Sequence, residues 1–256
     1  MRMFIAKGAI DPKRDRHHKT MRYEHSFLLQ CVLFKMKNNK SYIHVRSNCL
    51  LLPLPSASTI RRFLSSSECR FGWNKLSLDH IREWFKNKKP HERWVVLMWD
   101  EIAITKDLRF DTRTLQWKGI VDYAGECGIM VPNGIADHVL VFVVRPLLGG
   151  WIQPFAWFGT KGSASAIILK ELIMKGISCL YDVSGAWVTA CVCDGVSTNK
   201  SAMAMFGISG EEKGCNTTLH PLNDKLKIHW LTDTPHLLKC VRNHMEKHRS
   251  FQVIVY

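Results

Sequence analysis

The chain has 256 residues, 46% of them hydrophobic, with 36 Lys or Arg against 22 Asp or Glu and a formal net charge of +14. That hydrophobic content excludes a disordered chain, and its longest apolar runs, such as VLVFVV at 139–144, are too short for a helical membrane span. The basic excess sits at the two ends, residues 1–50 and 225–256, around a nearly balanced middle, which fits a polyanionic partner whose phosphate contacts release counterions.

Residues 1–22 lack periodicity and read as part of a mobile basic segment over 1–40. SFLLQCVLF follows basic residues, but it starts late, is interrupted by Gln30 and has no small-residue cleavage site, so it is not read as a secretory signal. Nine cysteines without a CxxC pair imply reduced thiols in an intracellular compartment. Cys31, Cys49 and Cys69 with His17 and His18 are spaced too widely for a zinc finger and read as buried or surface cysteine.

From residue 41 to 90 the pattern is helical. SYIHVRSN predicts one helix, which LLPLP breaks. Ser56 or Ser58 caps STIRRFLSS, with Arg61 and Arg62 on a basic face and Ile60, Phe63 and Leu64 on an apolar one. After the turn CRFGWN, Ser77 caps LSLDHIREWF, where Leu78, Ile81, Trp84 and Phe85 follow helical spacing. Short helices with adjacent arginines predict a helix-turn-helix DNA-binding region.

From Arg93 the texture becomes strand-like. WVVLMW ends in Asp100 and Glu101; EIAIT, LRFD, LQWKGIVDY, ADHVLVFVVRP and WIQPFAWFGT follow as further strand-like runs. KGSASAIILKELIMKGISCLYDV predicts a long helix capped by Ser163 or Ser165, with Ile167, Leu169, Leu172 and Ile173 on its apolar face. WVTACVCDG is a second buried strand ending in an acid, Asp194, followed by the short helix VSTNKSAMAMFGI. KIHWLTD is a third, ending in Asp233 ahead of the basic helix TPHLLKCVRNHMEKH. Antiparallel-type strands followed by strand–helix–strand crossovers describe an α/β mixed sheet with flanking helices. The RNase H-like fold has this order, and in it the first and fourth strands are neighbours, so Asp100 and Asp194 would meet at one edge. Acids there would stop the strands because a divalent cation sits between them: Mg²⁺ or Mn²⁺ takes oxygen ligands and keeps several waters, so few carboxylates suffice, and two such ions serve phosphodiester displacement.

The blocks WDEIAITKDLRFD, ADHVLVFVVRPLLGGWIQPFAWF, CVCDGVSTN and LTDTPHLLKCVRNH resemble successive parts of the P element-type DNA transposases and their THAP-type relatives, over roughly residues 41–250. LLPLPSASTIRRFL is similar to the helix-turn-helix region before their catalytic core, and D-x-P-H-L-L-K-x-x-R-N is the most distinctive block. The resemblance implies that Asp100 and Asp194 are the first two acids and metal ligands of a DDE-type triad. It implies an RNase H-like part over 91–213, and over 214–256 the last strand of that part and the start of an inserted GTP-binding domain. The family's third acid, a Glu after that insertion, would fall beyond Tyr256, since Glu246 comes too early; its amino-terminal zinc finger is not visible in the spacing. The resemblance further implies double-stranded DNA at transposon ends as partner, possible self-association, GTP as a second ligand and a nuclear location. The chain then reads as a transposase fragment, with a non-catalytic DNA-binding derivative or an RNase H-fold nuclease as alternatives.

Several side chains keep two readings. Glu101 points away from Asp100 if the strand continues, and supports the site or faces solvent. Asp233 contacts nucleotide or caps the helix starting at Thr234 or Pro235. His236, Lys239, Arg242 and Asn243 share a helix face; Lys239 and Asn243 join Asp233 as nucleotide-binding candidates, and Arg242 joins Arg61 and Arg62 as a DNA-binding candidate. GTKGSAS reads as a turn and helix cap, lacking phosphate-loop spacing. Asn199 and Lys200 suggest a guanine-reading NKxD, but Ala202 occupies the Asp position. Cys191 and Cys193 read as core.

Overall fold

Asn38, Ser56, Asn74 and Ser165 each mark a helix entrance: the side-chain oxygen accepts from the backbone N–H three residues on, at 3.0, 3.1, 2.8 and 3.4 Å. The computed structural model describes residues 23–49, 52–66, 70–112, 115–127, 133–209 and 216–247. His17, His18, Cys69 and the expected mobile segment over 1–22 lie outside them. The chain divides into two compact units, Met1–Cys69 and Arg70–Tyr256.

The first unit packs three helices, α1 (His25–Lys37), α2 (Asn39–Asn48) and α3 (Ala57–Ser66), around Cys31, Val32, Tyr42, Leu54 and Ile60. Residues 25–37 fall within the mobile basic segment expected over 1–40. They are instead a helix that buries Leu28, Cys31 and Val32, because the apolar run SFLLQCVLF has a core to enter. Burial pushes the Cys31 thiol up to about 11. The Tyr42 hydroxyl donates to the Pro55 carbonyl at 2.7 Å, which fixes the LPLP breaker against α2. Ser56, not Ser58, accepts from Thr59 N.

The second unit begins with β1 (Gly72–Trp73) and α4 (Lys75–Phe85). The cap of α4 is Asn74, three residues before Ser77. Its Leu78, Ile81 and Phe85 enter the sheet's own core, so LSLDHIREWF belongs to the second unit, and the division at Cys69 cuts through the expected 41–90 region. The strands that follow are β2 (Trp94–Ala103), β3 (Arg109–Asp111), β4 (Gln116–Lys118), β5 (His138–Pro146) and β6 (Gln153–Thr160). Then come α5 (Ala166–Ser184), β7 (Trp187–Cys193), α6 (Ser197–Ala204), β8 (Thr217–His220), β9 (Asn223–Thr232) and α7 (Thr234–Lys247).

Seven strands form one mixed sheet in the order β1-β6-β5-β2-β7-β9-β8, while β3 and β4 form a separate hairpin. β5 and β6 are antiparallel to their neighbours, whereas β2, β7 and β9 run parallel. The arrangement meets the RNase H-like expectation, and β2 and β7 are adjacent. One face of β2 supplies Val95, Leu97 and Trp99 to the core, where they join Phe142, Phe155, Phe158 and the buried stripe of α5. Each fully buried aliphatic or aromatic side chain there contributes about 1.5–3 kcal/mol of transfer free energy. The stripe of α5 runs through Ile168, Leu169, Leu172, Ile173, Ile177 and Leu180. Ile167, expected on that face, is half exposed, because the stripe begins one residue later. Gly185 ends α5 in the left-handed region at φ 67°, which favours glycine, and a Cβ there would push aside the Arg93 guanidinium, whose Nη1 it would meet at 2.7 Å.

Candidate functional site

The paired register of the adjacent parallel strands β2 and β7 ends at Met98↔Val192, and two residues on, Asp100 and Asp194 both line a cleft of about 190 Å³ with Trp99, Glu101, His138, Thr198 and Asn199. Parallel neighbours lie about 4.8 Å apart, which brings both acids to one cleft; β2, expected to stop at Asp100, instead runs on to Ala103 because β5 pairs with it that far. Asp100 is exposed and Asp194 half-buried. Asp100 Oδ1 accepts from Glu101 N at 2.8 Å. Asp194 Oδ1 accepts from Val196 N at 3.2 Å and, through a short bond, from Asn199 Nδ2.

Glu101 lines the same cleft but is already engaged. Its Oε1 accepts from Ala164 N at 2.7 Å, so it pins the segment that enters α5 and supports the site rather than facing solvent freely. Across the cleft, His138 Nδ1 is paired with Asp137 Oδ1 at 2.8 Å, and the same oxygen accepts from Gly162 N at 2.6 Å. The His138 bond, the Gly162 N–H and nearby Lys106 hold the Asp137 carboxyl far below its ordinary value. Cys191 and Cys193 are core, as expected, and burial pushes the Cys193 thiol up to about 12.

The residues missed by sequence reasoning are Trp99 and Asn199. Asn199 is buried on α6; its Oδ1 accepts from Trp99 Nε1 at 2.9 Å while its Nδ2 serves Asp194. The available signal was helical spacing: Asn199 and Ala202 are the two buried residues of α6, so Asn199 lies on the inward face, where an amide needs partners. The pair of Asp137 and His138 was also passed over, since two adjacent residues at a strand start carry no spacing signal.

Two hard carboxylate donors at one small cleft fit Mg²⁺ or Mn²⁺ with water completing the shell. Among the described residues no group of three or more His, Cys, Asp or Glu is close enough to hold a metal ion. A larger cleft of about 450 Å³ lies at the end of α5, lined by Arg82, Lys86 and Arg93. Its arginines already serve helix-end carbonyls, Arg82 Nε to Val183 O at 2.6 Å and Arg93 Nη1 to Gly185 O at 3.3 Å, so this cleft reflects helix capping.

The remaining candidates lie elsewhere. Arg61 and Arg62 are exposed on α3, opposite buried Ile60. Asp233 O accepts from Leu237 N at 3.0 Å at the entrance of α7, and Asp233 N donates to Cys193 O at 2.8 Å. Lys239, Arg242 and Asn243 are exposed on α7, and Arg242 Nη2 donates to Asn243 Oδ1 at 3.0 Å. None of these lines either cleft. No helix among the described residues is long and apolar enough to cross a membrane.

Residues 69–207 match the family described as TNP-like, RNase H N-terminal domain. The human protein "DNA transposase THAP9" is 24% identical over 226 residues, covering 88% of this chain and 24% of that protein. The Drosophila melanogaster "Transposable element P transposase" is 30% identical over 195 residues, covering 75% of this chain and 22% of that protein. The chain thus spans about a quarter of the length of these relatives. Its fold is similar to that of the Drosophila P element transposase strand transfer complex, with a TM-score of 0.62 and 23% identity over 90% of this chain and 46% of that one.

Proposed function

The chain belongs to the TNP-like RNase H N-terminal domain family and is homologous to P element-type transposases, and from that premise we propose that its second unit is the amino-terminal part of a transposase catalytic domain acting on double-stranded DNA at transposon ends. One observation carries this reading: Asp100, within β2, and Asp194, directly after β7, lie on adjacent parallel strands and line one cleft. They are the first two acids of a DDE-type site for Mg²⁺ or Mn²⁺. When bound, such a cation supplies Lewis-acid polarisation of a phosphodiester oxygen and relief of the charge repulsion between the two acids. The chain's own residues do the rest. Glu101 anchors the loop before α5, and Val196 N and Asn199 orient the Asp194 carboxylate.

The helical first unit supplies DNA contacts through Arg61 and Arg62, with Arg242 adding a phosphate contact from α7. Asp233, Lys239 and Asn243 form the start of a GTP-binding part. The protein acts in the nucleus, with self-association at paired DNA ends. A second reading, DNA binding without catalysis, is favoured by the exposed basic side chains of Arg61 and Arg62 on α3 and of Lys239 and Arg242 on α7, which line neither cleft.

The test is calorimetric titration of Mn²⁺ into the chain beside Asp100→Ala and Asp194→Ala, followed by cleavage of duplex DNA and of an RNA–DNA hybrid. Saturable binding lost in both variants supports the metal site. Binding untouched by either variant ends it. Cleavage confined to the hybrid would replace the transposase reading by a nuclease one, and salt-steep duplex binding without cleavage would favour the second reading.

A further inference from the structure

We infer that Asn199 is a positioning residue that sets the rotamer of Asp194 and is itself held in one orientation by Trp99; the inference rests on the metal-site reading above. An indole N–H donates and never accepts. The Asn199 amide therefore turns its Oδ1 to Trp99 Nε1, at 2.9 Å and buried, and its Nδ2 to Asp194 Oδ1. A flip of the amide would leave the buried indole N–H facing a donor and would aim Oδ1 at a carboxylate oxygen, two losses at once. The orientation is locked.

Val196 N also donates to Asp194 Oδ1. Both donors converge on one oxygen, so the carboxylate is fixed with the oxygen they do not engage, Oδ2, as its cation-facing atom. Trp99 precedes Asp100 on β2, and Asn199 follows Asp194 on α6. The relay therefore ties β2, beside Asp100, to the Asp194 carboxylate through one buried amide. Asn199 is one of the few buried polar side chains among the described residues. An apolar residue at that place on α6 would fill the core as well, and would orient nothing.

The test is Mn²⁺ calorimetry with thermal unfolding on the full chain and on Asp194→Ala, Asn199→Ala, Trp99→Phe and Ile173→Val. Loss of a group that orients a ligand weakens metal binding about tenfold or more, and Asn199→Ala is expected to do so. Trp99→Phe keeps an aromatic ring in the core and removes the N–H, freeing the amide to flip, with an expected loss of about threefold to fivefold. Ile173→Val loosens the core away from the acids; it lowers the Tm and leaves Mn²⁺ affinity within about twofold, which separates positioning from general stability. If Asp194→Ala loses Mn²⁺ while Asn199→Ala and Trp99→Phe both stay within about twofold, the metal site stands and the positioning role falls. If Asp194→Ala binds as the wild type does, or the wild type shows no saturable binding, the metal reading fails and this inference with it. Should Asn199→Ala not fold, Trp99→Phe decides.

Discussion

β7 with α6 and β9 with α7 obey the same local grammar. In each, a strand of buried alternation runs parallel to its neighbour, ends in an acid and passes at once into a helix. The outcomes differ. α6 buries Asn199 and Ala202, whereas α7 buries nothing among its described residues. Asp194 is gripped by a buried amide and lines the cleft with Asp100, while Asp233 serves the backbone at the head of an exposed helix. The same strand-end acid becomes a candidate ligand where the following helix folds back onto the sheet, and a helix-entry residue where it does not. A strand ending in Asp is therefore weak evidence alone; the inward face of the next helix decides.

The widest expected difference between the two acids is in metal binding. Asp194→Ala should weaken Mn²⁺ by about a hundredfold or more, the loss of one of two carboxylates in a shell of hard oxygen donors. Asp233→Ala should change it by less than about threefold. Calorimetry of the pair breaks the comparison if Asp233→Ala costs as much as Asp194→Ala.

The helices themselves give the next largest contrast, in stability. Phe206, just after α6, packs its ring 4.6 Å from that of Trp230 and joins the main core. Phe206→Ala should destabilise the second unit by about 2 kcal/mol, below the usual range for a fully buried Phe because this one is half-buried. Leu238 on α7 is 65% exposed, and Leu238→Ala should stay within about 0.5 kcal/mol. Urea unfolding of both variants measures the difference, and equal effects would mean that α7 is packed in solution.

These two helices also show how much the sequence disclosed. The strands at 138–146, 153–160 and 187–193 carry their own signal, β-branched and aromatic runs closed by polar turns, and they lie where that signal puts them, whereas the run WVVLMW continues past its two acids to Ala103 because β5 pairs with it that far. The adjacency of the strands that carry or precede Asp100 and Asp194 followed from fold order, since strand adjacency is a property of topology that no local window holds. Helical spacing could place Asn199 with Ala202 on the inward face of α6, but could not name its partners. Its partners lie 100 residues away at Trp99 and five away at Asp194, and a hydrogen bond across that distance leaves no trace in local spacing. For α1 the basic residues outweighed an apolar run, and charge at a chain's edge says little about whether the segment between has a core to join. The start of α5 was legible in its cap, Ser165, but its buried stripe slipped by one residue because Ile167 and Ile168 are indistinguishable until the sheet selects one of them.

A smaller contrast lies at the outer edge of β9, where β8 places His220. Its Nδ1 accepts from Leu222 N at 3.2 Å, and its buried Nε2 has no hydrogen-bond partner. Burial pulls its pKa below the ordinary value, with Asp182 opposing in part. A histidine lowered in the fold binds its proton more readily when unfolded, so its contribution to stability is present above the unfolded value of about 6.5 and is lost as pH falls below it. Unfolding measured at pH 7.5 and 5.5 should show a steeper acid loss in the wild type than in His220→Phe, which keeps the ring packed beside Tyr181 at 4.9 Å. An unchanged slope would place the proton-linked loss in other histidines. Nothing equivalent is expected on the β7 side, where Asn199 fills the polar position without titrating.

The smallest effect tests what α7 is for. Arg242 Nε lies 3.9 Å from Glu246 Oε1 with both side chains mostly exposed, and an exposed i,i+4 pair contributes about 0.3–0.5 kcal/mol. Glu246→Gln should therefore leave unfolding nearly unchanged. It also removes the one acidic side chain of α7 and leaves Lys239, Arg242 and Lys247 facing solvent. If α7 is a surface for phosphate and not a structural helix, the variant should bind duplex DNA more tightly, with a steeper dependence on salt. A helix that only supports the fold would show neither change, and the contrast with α6 would then be one of packing alone.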